Sequence, residues 1–426
     1  MELKEDIVIT GIGVVSPIGV GKDAFWNSLC EGRSGVRRLD LYEQDDSTNA
    51  DLPTPIGGSV INFNPKKLIR PRKSLKLMSR DIQLAFAAAD MARADAGLPE
   101  KPVDPERMGV IFGADLMACD FAEMADAYVR CIADGRFHFD RWGPAAMSEL
   151  FPLWLLKYLP NMPACHIGIA QDARGPTNSL ILSETAGLSA VSEAVRLLDR
   201  GQADVMIAGS TGSQIHPGVW YRNRRFDLRR FDDDPTAVAR PFDARREGMV
   251  SGEGSAAFIL ETRKHAEARD ATVLARVVGC LGTFEPCRKN TPPGGTAIRR
   301  AITGLLQQTG VAAEEVGHVN AHGAGTVAED RVEAQAIRDT LGDVPVTAPK
   351  SFFGNLCAGS GAVETAVSVL AVAKGRVPQT LNYEEPDPTC PVNVIRSEPM
   401  QTDKPIALAM NQTPLGHTIA VLFAGP

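Results

Sequence analysis

The chain has 426 residues, 39 of them glycine and 29 proline, with 44% hydrophobic and 23% charged side chains. These are the proportions of a soluble globular protein with room for one large core or two fused units. The formal net charge of −7, from 45 basic and 52 acidic residues, argues against a nucleic-acid-binding protein. Eight scattered cysteines without CxxC spacing, and an N-terminus that opens on charge and then a strand, point to free thiols in the cytoplasm rather than a secreted disulfide framework. No apolar run approaches the roughly 20 residues that span a bilayer. The most apolar stretch, FPLWLLKYLP at 151–160, holds Lys157 and two prolines and reads as a buried helix or cap.

In chain order, DIVITGI at 6–12 reads as a buried strand, and 19–32 as a short helix ending at Gly32. The alanine-rich stretch 78–98 carries an apolar stripe at helical spacing. RMGVIFGAD at 107–115 is strand then turn, and a less regular region follows. From His166 the pattern reads helix end, strand 178–182, turn 183–185, helix 186–200 and strand 203–208, a βαβ unit. The second half repeats the scheme: strand and charged connection at 255–270, helix 296–311, strand and glycine loop 318–325, helix 329–342, loop and long helix 353–375, and strands 407–412 and 417–424. Basic runs stand at 68–80 and at Arg222, Arg224, Arg225, Arg229 and Arg230; they read as solvated surface or as a docking face for an acidic carrier protein.

Six segments in order carry a family resemblance: VVSPIG at 14–19, LPNMPACHIGIAQDARGP at 159–176, GPTNSLILSETAG at 175–187, ARPFDARREGMVSGEGSAAFILE at 239–261, NAHGAGTVAEDRVEAQAI at 320–337 and PKSFFGNLCAGSGAVETA at 349–366. Together they span nearly the whole chain, which resembles the elongating β-ketoacyl synthases of fatty-acid and polyketide assembly. The resemblance implies a thiolase-like, duplicated five-layer α/β/α/β/α fold, with an N-terminal half at 1–258 and a C-terminal half at 259–426. It also implies a homodimer, or a heterodimer with an active ketosynthase, that meets an acyl carrier protein. Phosphopantetheine enters as the carrier's substrate arm, and no cofactor or metal bound by the chain is expected.

The same resemblance maps a reaction centre. The family uses a cysteine thiolate, two histidines and a backbone oxyanion hole. Glu184 stands at the matching position of the cysteine, and a carboxylate is a poor nucleophile toward a thioester. His322 matches the first histidine. Asn355 stands at the second, where it can donate a hydrogen bond but carries no imidazolium charge. Lys350 and Glu333 match the lysine and glutamate that organise the histidine environment, and Lys350 is placed to neutralise Glu184 or Glu333. In the flexible glycine-rich gating loop of the family this chain reads NQTPLGH, with Thr413, Pro414 and Leu415 in place of the mobile gate; proline stiffens it. Cys357 reads as a small buried hydrophobe, and His417 falls at a family glycine.

Three functions follow as expectations. The first is a non-condensing, chain-length-factor-like partner of an active β-ketoacyl-ACP synthase. The second is a malonyl-ACP decarboxylase or repurposed acyl-thioester enzyme using Glu184 and His322. The third is a divergent active synthase.

Overall fold

The computed structural model describes residues 3–39, 55–98, 103–222, 228–230, 232–287 and 293–426. Arg224 and Arg225 lie outside them, as does the Arg222 side chain. Ten strands matter for the site. The first five are β1 (Ile7–Ser16), β2 (Met108–Gly113), β3 (Thr177–Leu180), β4 (Val205–Ser213) and β5 (Glu253–Thr262). The second five are β6 (Ala275–Phe284), β7 (Val316–Asn320), β8 (Pro345–Thr347), β9 (Ile406–Gln412) and β10 (His417–Ala424). Every residue of β1, β2 and β7 is buried. Such strands are covered on both faces, and β1 and β2 accordingly run largely apolar without alternation, while β7 buries His318 and Asn320.

The pairing order exposes a duplication that is faint in the sequence. The first half runs β1-β5-β4-β2-β3 and the second β6-β10-β9-β7-β8. In each, the first two contacts are antiparallel and the last two parallel. The halves meet where β1 and β6 pair antiparallel, with Ile7 opposite Val277 and Ile9 opposite Ala275. The sequence reading omitted β6, the strand that joins the halves. The expected division at 258/259 falls inside β5, and the strand equivalence instead divides the chain between Thr262 and Ala275.

Helices complete five layers. Helix α1 (Arg80–Asp95) covers the outer face of the first half-sheet. Its backbone approaches β1 so closely that a Cβ on Gly13 would lie 1.9 Å from the Ala88 carbonyl oxygen, so glycine is required there. Helices α2 (Ala186–Asp199) and, at the end of the series, Ser360–Lys374 lie between the half-sheets and fill the central apolar cluster with Leu188, Val191, Val363 and Val367. Helices α3 (Thr296–Thr309) and α4 (Val327–Leu341) cover the second half-sheet through Ile298, Ile302 and Ile337. The helix Ser360–Lys374 is α5. One apolar segment, Cys357–Lys374, does reach membrane-spanning length, contrary to expectation, but 89% of it is buried as this central layer. The stretch 151–160 is not a buried helix: Phe151, Leu153 and Leu155 are exposed beside a short 3-10 turn at Trp154–Tyr158.

Candidate active site

The site forms where loops leave the strands of both halves and enter the central helices. Glu184 lies in the turn Ser183–Thr185 that joins β3 to α2, and Ser183 adopts φ +46°. The carboxyl is buried, with 5% of its residue surface exposed. Asn355 Nδ2 donates to Glu184 Oε1 at 3.4 Å, while Oε2 is buried without a hydrogen-bond partner. Burial pushes the Glu184 pKa up to about 7, its own backbone N–H works against that, Glu329 and Asp115 add to it and Lys350 opposes it.

Asn355 is held from both sides. Its backbone bonds to Val250 and Gly252, and its Oδ1 accepts from the Cys357 N–H at 2.7 Å and the Ser360 hydroxyl at 3.3 Å. Its side chain therefore points one way, with the amide nitrogen toward Glu184.

His322 follows β7 and is 2% exposed. Glu333, on α4, accepts the backbone N–H of His322 at 2.6 Å and of Gly323 at 2.8 Å. Burial raises the Glu333 pKa to about 8, with Asp330 adding to it. Lys350 donates to the His322 carbonyl at 2.7 Å and lies 3.3 Å from its Nδ1. An ammonium has no lone pair, so Nδ1 accepts and Nε2 carries the proton. Burial, then the neighbouring Lys350, push the His322 pKa well down, leaving a neutral imidazole.

The ion pair of Lys350 is with neither Glu184 nor Glu333. It is with Glu364 at 2.5 Å, on α5, whose other oxygen accepts from Asn411 Nδ2 at 2.6 Å. Glu364 is not singled out in the sequence because it stands in a helix made mostly of alanine, valine and small hydroxyl residues, which reads as core. The structure thus makes two clusters: Glu184 with Asn355, and His322 with Lys350, Glu333, Glu364 and Asn411. No hydrogen bond joins Glu184 to His322.

Two further residues missed as partners border Glu184. Asp115, at the end of β2, accepts from Ser183 Oγ at 3.1 Å and from Cys357 Sγ at 3.0 Å. His417 Nδ1 lies 2.8 Å from Thr185 Oγ1. The threonine hydroxyl donates to the Leu182 carbonyl at 2.7 Å, so His417 is the donor to it. Cys357 is buried, and burial followed by the Glu184 and Asp115 charges pushes its thiol well above the ordinary range. Both effects disfavour the thiolate that a nucleophile needs.

The loop Thr413–Gly416 is a tight hairpin turn between β9 and β10. Thr413 N–H donates to the His417 carbonyl at 2.9 Å and Gly416 N–H to the Thr413 carbonyl. Thr413 is buried and Leu415 exposed, while the Pro414 carbonyl accepts from Cys287 Sγ at 3.2 Å. Among the described residues no group of three or more His, Cys, Asp or Glu side chains is arranged to hold a metal.

Comparison with known proteins agrees with this architecture. Residues 4–266 match the family description "Beta-ketoacyl synthase, N-terminal domain", and residues 274–384 match "Beta-ketoacyl synthase, C-terminal domain". The chain is 31% identical to 3-oxoacyl-[acyl-carrier-protein] synthase 2 of Synechocystis sp., covering 99% of this chain and 98% of that one. It is 33% identical to the tetracenomycin polyketide synthase ketoacyl synthase alpha subunit of Streptomyces glaucescens, covering 93% and 92%. Among solved structures, the ishigamide ketosynthase/chain length factor superposes with a TM-score of 0.86 at 27% identity over 99% of both chains. AntDE:AntF, a type II polyketide synthase acyl-carrier protein in complex with its ketosynthase, gives a TM-score of 0.82 at 26% identity over 99% of both. The fold is thiolase-like, and the chain belongs to the β-ketoacyl synthase family of condensing enzymes and chain length factors.

Proposed function

We propose that this chain is a non-condensing member of the family, a chain-length-factor-like subunit that pairs with an active β-ketoacyl-ACP synthase in fatty-acid or polyketide assembly. One observation carries this reading: a buried carboxyl, Glu184, occupies the position that the motif match assigns to the nucleophile, and the neighbouring thiol of Cys357 is buried and donates to Asp115. Asn355 beside it supplies no second imidazole. The turn Thr413–Gly416 is closed by its own hydrogen bonds and does not resemble a moving gate.

Two surface features support the partners. The strand β3 ends the sheet, and near it Ile169, Ile181 and Leu182 are exposed. An edge strand flanked by apolar side chains suits pairing with another subunit. Lys66, Lys67, Arg70, Arg72, Lys73 and Lys76 are exposed in one short segment, a face suited to an acidic carrier protein whose phosphopantetheine arm would bring the acyl group. The free cysteines among the described residues suit the cytoplasm, the compartment we propose.

A second reading, an active though divergent synthase, is favoured by the names of the curated relatives, which are predominantly synthases. Relatedness weighs for this reading; the residues at Glu184 and Asn355 weigh for the first. Co-expression with a ketosynthase of the same pathway and its carrier protein, followed by condensation and malonyl-decarboxylation assays on each subunit alone and together, decides between them. Condensation only in the complex, unchanged by Glu184→Ala, is expected. Condensation by this chain alone would overturn the first reading in favour of the second. Decarboxylation by this chain alone, abolished in Glu184→Ala, would make it a repurposed enzyme.

A further inference from the structure

Glu184 and Asn355 reach each other from two turns far apart in the chain, and both turns are strained. Ser183 and Cys357, which are not glycine, adopt φ of +46° and +50°. Left-handed backbone at a serine and a cysteine persists only where surrounding contacts hold it. The contact common to both is one atom: Asp115 Oδ2 accepts from Ser183 Oγ at 3.1 Å and from Cys357 Sγ at 3.0 Å. Its other oxygen accepts the Leu116 N–H at 2.7 Å, which fixes the carboxylate against its own backbone. Cys357 in turn gives its N–H to Asn355 Oδ1 at 2.7 Å. A chain of contacts therefore runs from the end of β2 through both turns to the pair they carry.

We propose that Asp115 is the positioning residue of this site, a carboxylate clamp that locks the Ser183 and Cys357 turns and so delivers Glu184 and Asn355 to each other. The inference deepens the proposed function and rests on its placing Glu184 at the centre of the site. Asp115 also acts through charge. Its carboxylate adds to the effect of burial and of Glu329 in keeping the proton on Glu184, against Lys350; the thiol of Cys357 is a further titratable neighbour. The clamp thereby favours the neutral acid over the carboxylate beside Asn355. An unpartnered, buried Glu184 Oε2 is then a group able to meet a hydrogen-bonding ligand without an ion's desolvation cost.

Two substitutions separate clamp from charge. Asp115→Asn keeps an oxygen that accepts both bonds, removes the charge and gives up the bond from the Leu116 N–H; Asp115→Ala removes all of these. Glu184 is titrated by infrared difference spectroscopy of the carboxyl stretch, with isotope-labelled glutamate and Glu184→Gln as the blank. Cys357 exposure is read from the rate of alkylation, mapped by mass spectrometry. In Asp115→Asn the Glu184 midpoint should fall by roughly one pH unit with Cys357 alkylation near the wild-type rate. In Asp115→Ala the midpoint should fall likewise and alkylation of Cys357 rise on the order of tenfold. An unchanged Glu184 midpoint in Asp115→Asn overturns the electrostatic role, and unchanged alkylation in a folded Asp115→Ala overturns the clamp. Should Asp115→Ala not fold, Asp115→Ser, whose hydroxyl falls one bond short of the Oδ2 that both turns meet, replaces it with the same criterion. These readouts need no partner protein, so a failed clamp is distinguishable from a failed functional reading, which shows in the condensation assay alone.

Discussion

Glu184 illustrates how one residue couples stability to pH. Its folded pKa, raised to about 7 by burial, exceeds the 4.5 of an ordinary glutamate. Between those values the folded chain keeps a proton that the unfolded chain releases. The stability this group contributes is fully present below about pH 4.5 and is lost as pH rises through 7. Glutamine does not titrate. The stability of Glu184→Gln relative to the parent should therefore grow by about 3 kcal/mol between pH 4.5 and pH 8, measured by urea unfolding at both. A constant difference would show that the carboxyl is not held protonated. The identity and order of Glu184, His322, Lys350 and Asn355 were legible as motifs. Their partners were not. The Lys350–Glu364 pair bridges a one-turn helix, Lys350–Phe353, and the central helix, and local spacing says nothing of which carboxylate a lysine meets across layers.

At the scale of elements, the hairpin between β9 and β10 shows a loop whose rigidity was only half visible. Pro414 signalled stiffness. The lock itself is Gly416, at φ +93°, where a Cβ would lie 1.8 Å from the Glu285 carbonyl oxygen. Glu285 N–H also donates to the Gly416 carbonyl at 2.9 Å. Gly416→Ala should destabilise the fold by about 2 kcal/mol or more, from the left-handed backbone and the clash together. Thermal unfolding tests this; a loss within about 0.5 kcal/mol, the range of an ordinary surface substitution, would mean the turn yields. The helices announced themselves through alanine and leucine spacing. The strand β6 did not, since ARVVGCLGTF mixes glycines with a half-exposed face and gives no clean period.

For the whole molecule, the distribution of apolar surface is informative. Among the described residues, all of the large exposed hydrophobics except Ile61, Phe284, Val327 and Leu415 lie between residues 116 and 182. That segment ends at the edge strand β3, so apolar surface and unpaired sheet edge coincide. Ile181→Arg, at a residue 53% exposed, should leave the isolated chain within about 0.5 kcal/mol of the parent. The same variant should lose its complex with a partner ketosynthase in size-exclusion chromatography with light scattering. A complex of unchanged size and stability would move the partner surface elsewhere.

The sequence by itself determined the family-level pattern: most of the segments that are strand or helix, the order of the motifs, and the residue types at the centre. These depend on local periodicity, on glycine and proline, and on residues read one motif at a time. Tertiary structure alone decided the joining of two half-sheets through three residue pairs of β1 and β6, the choice of Glu364 as the partner of Lys350, and the meeting of Ser183 and Cys357 on Asp115. Each is a contact between segments 14 to 270 residues apart. Such contacts are chosen by the packing of layers, and the same donors and acceptors along the chain are compatible with many other pairings.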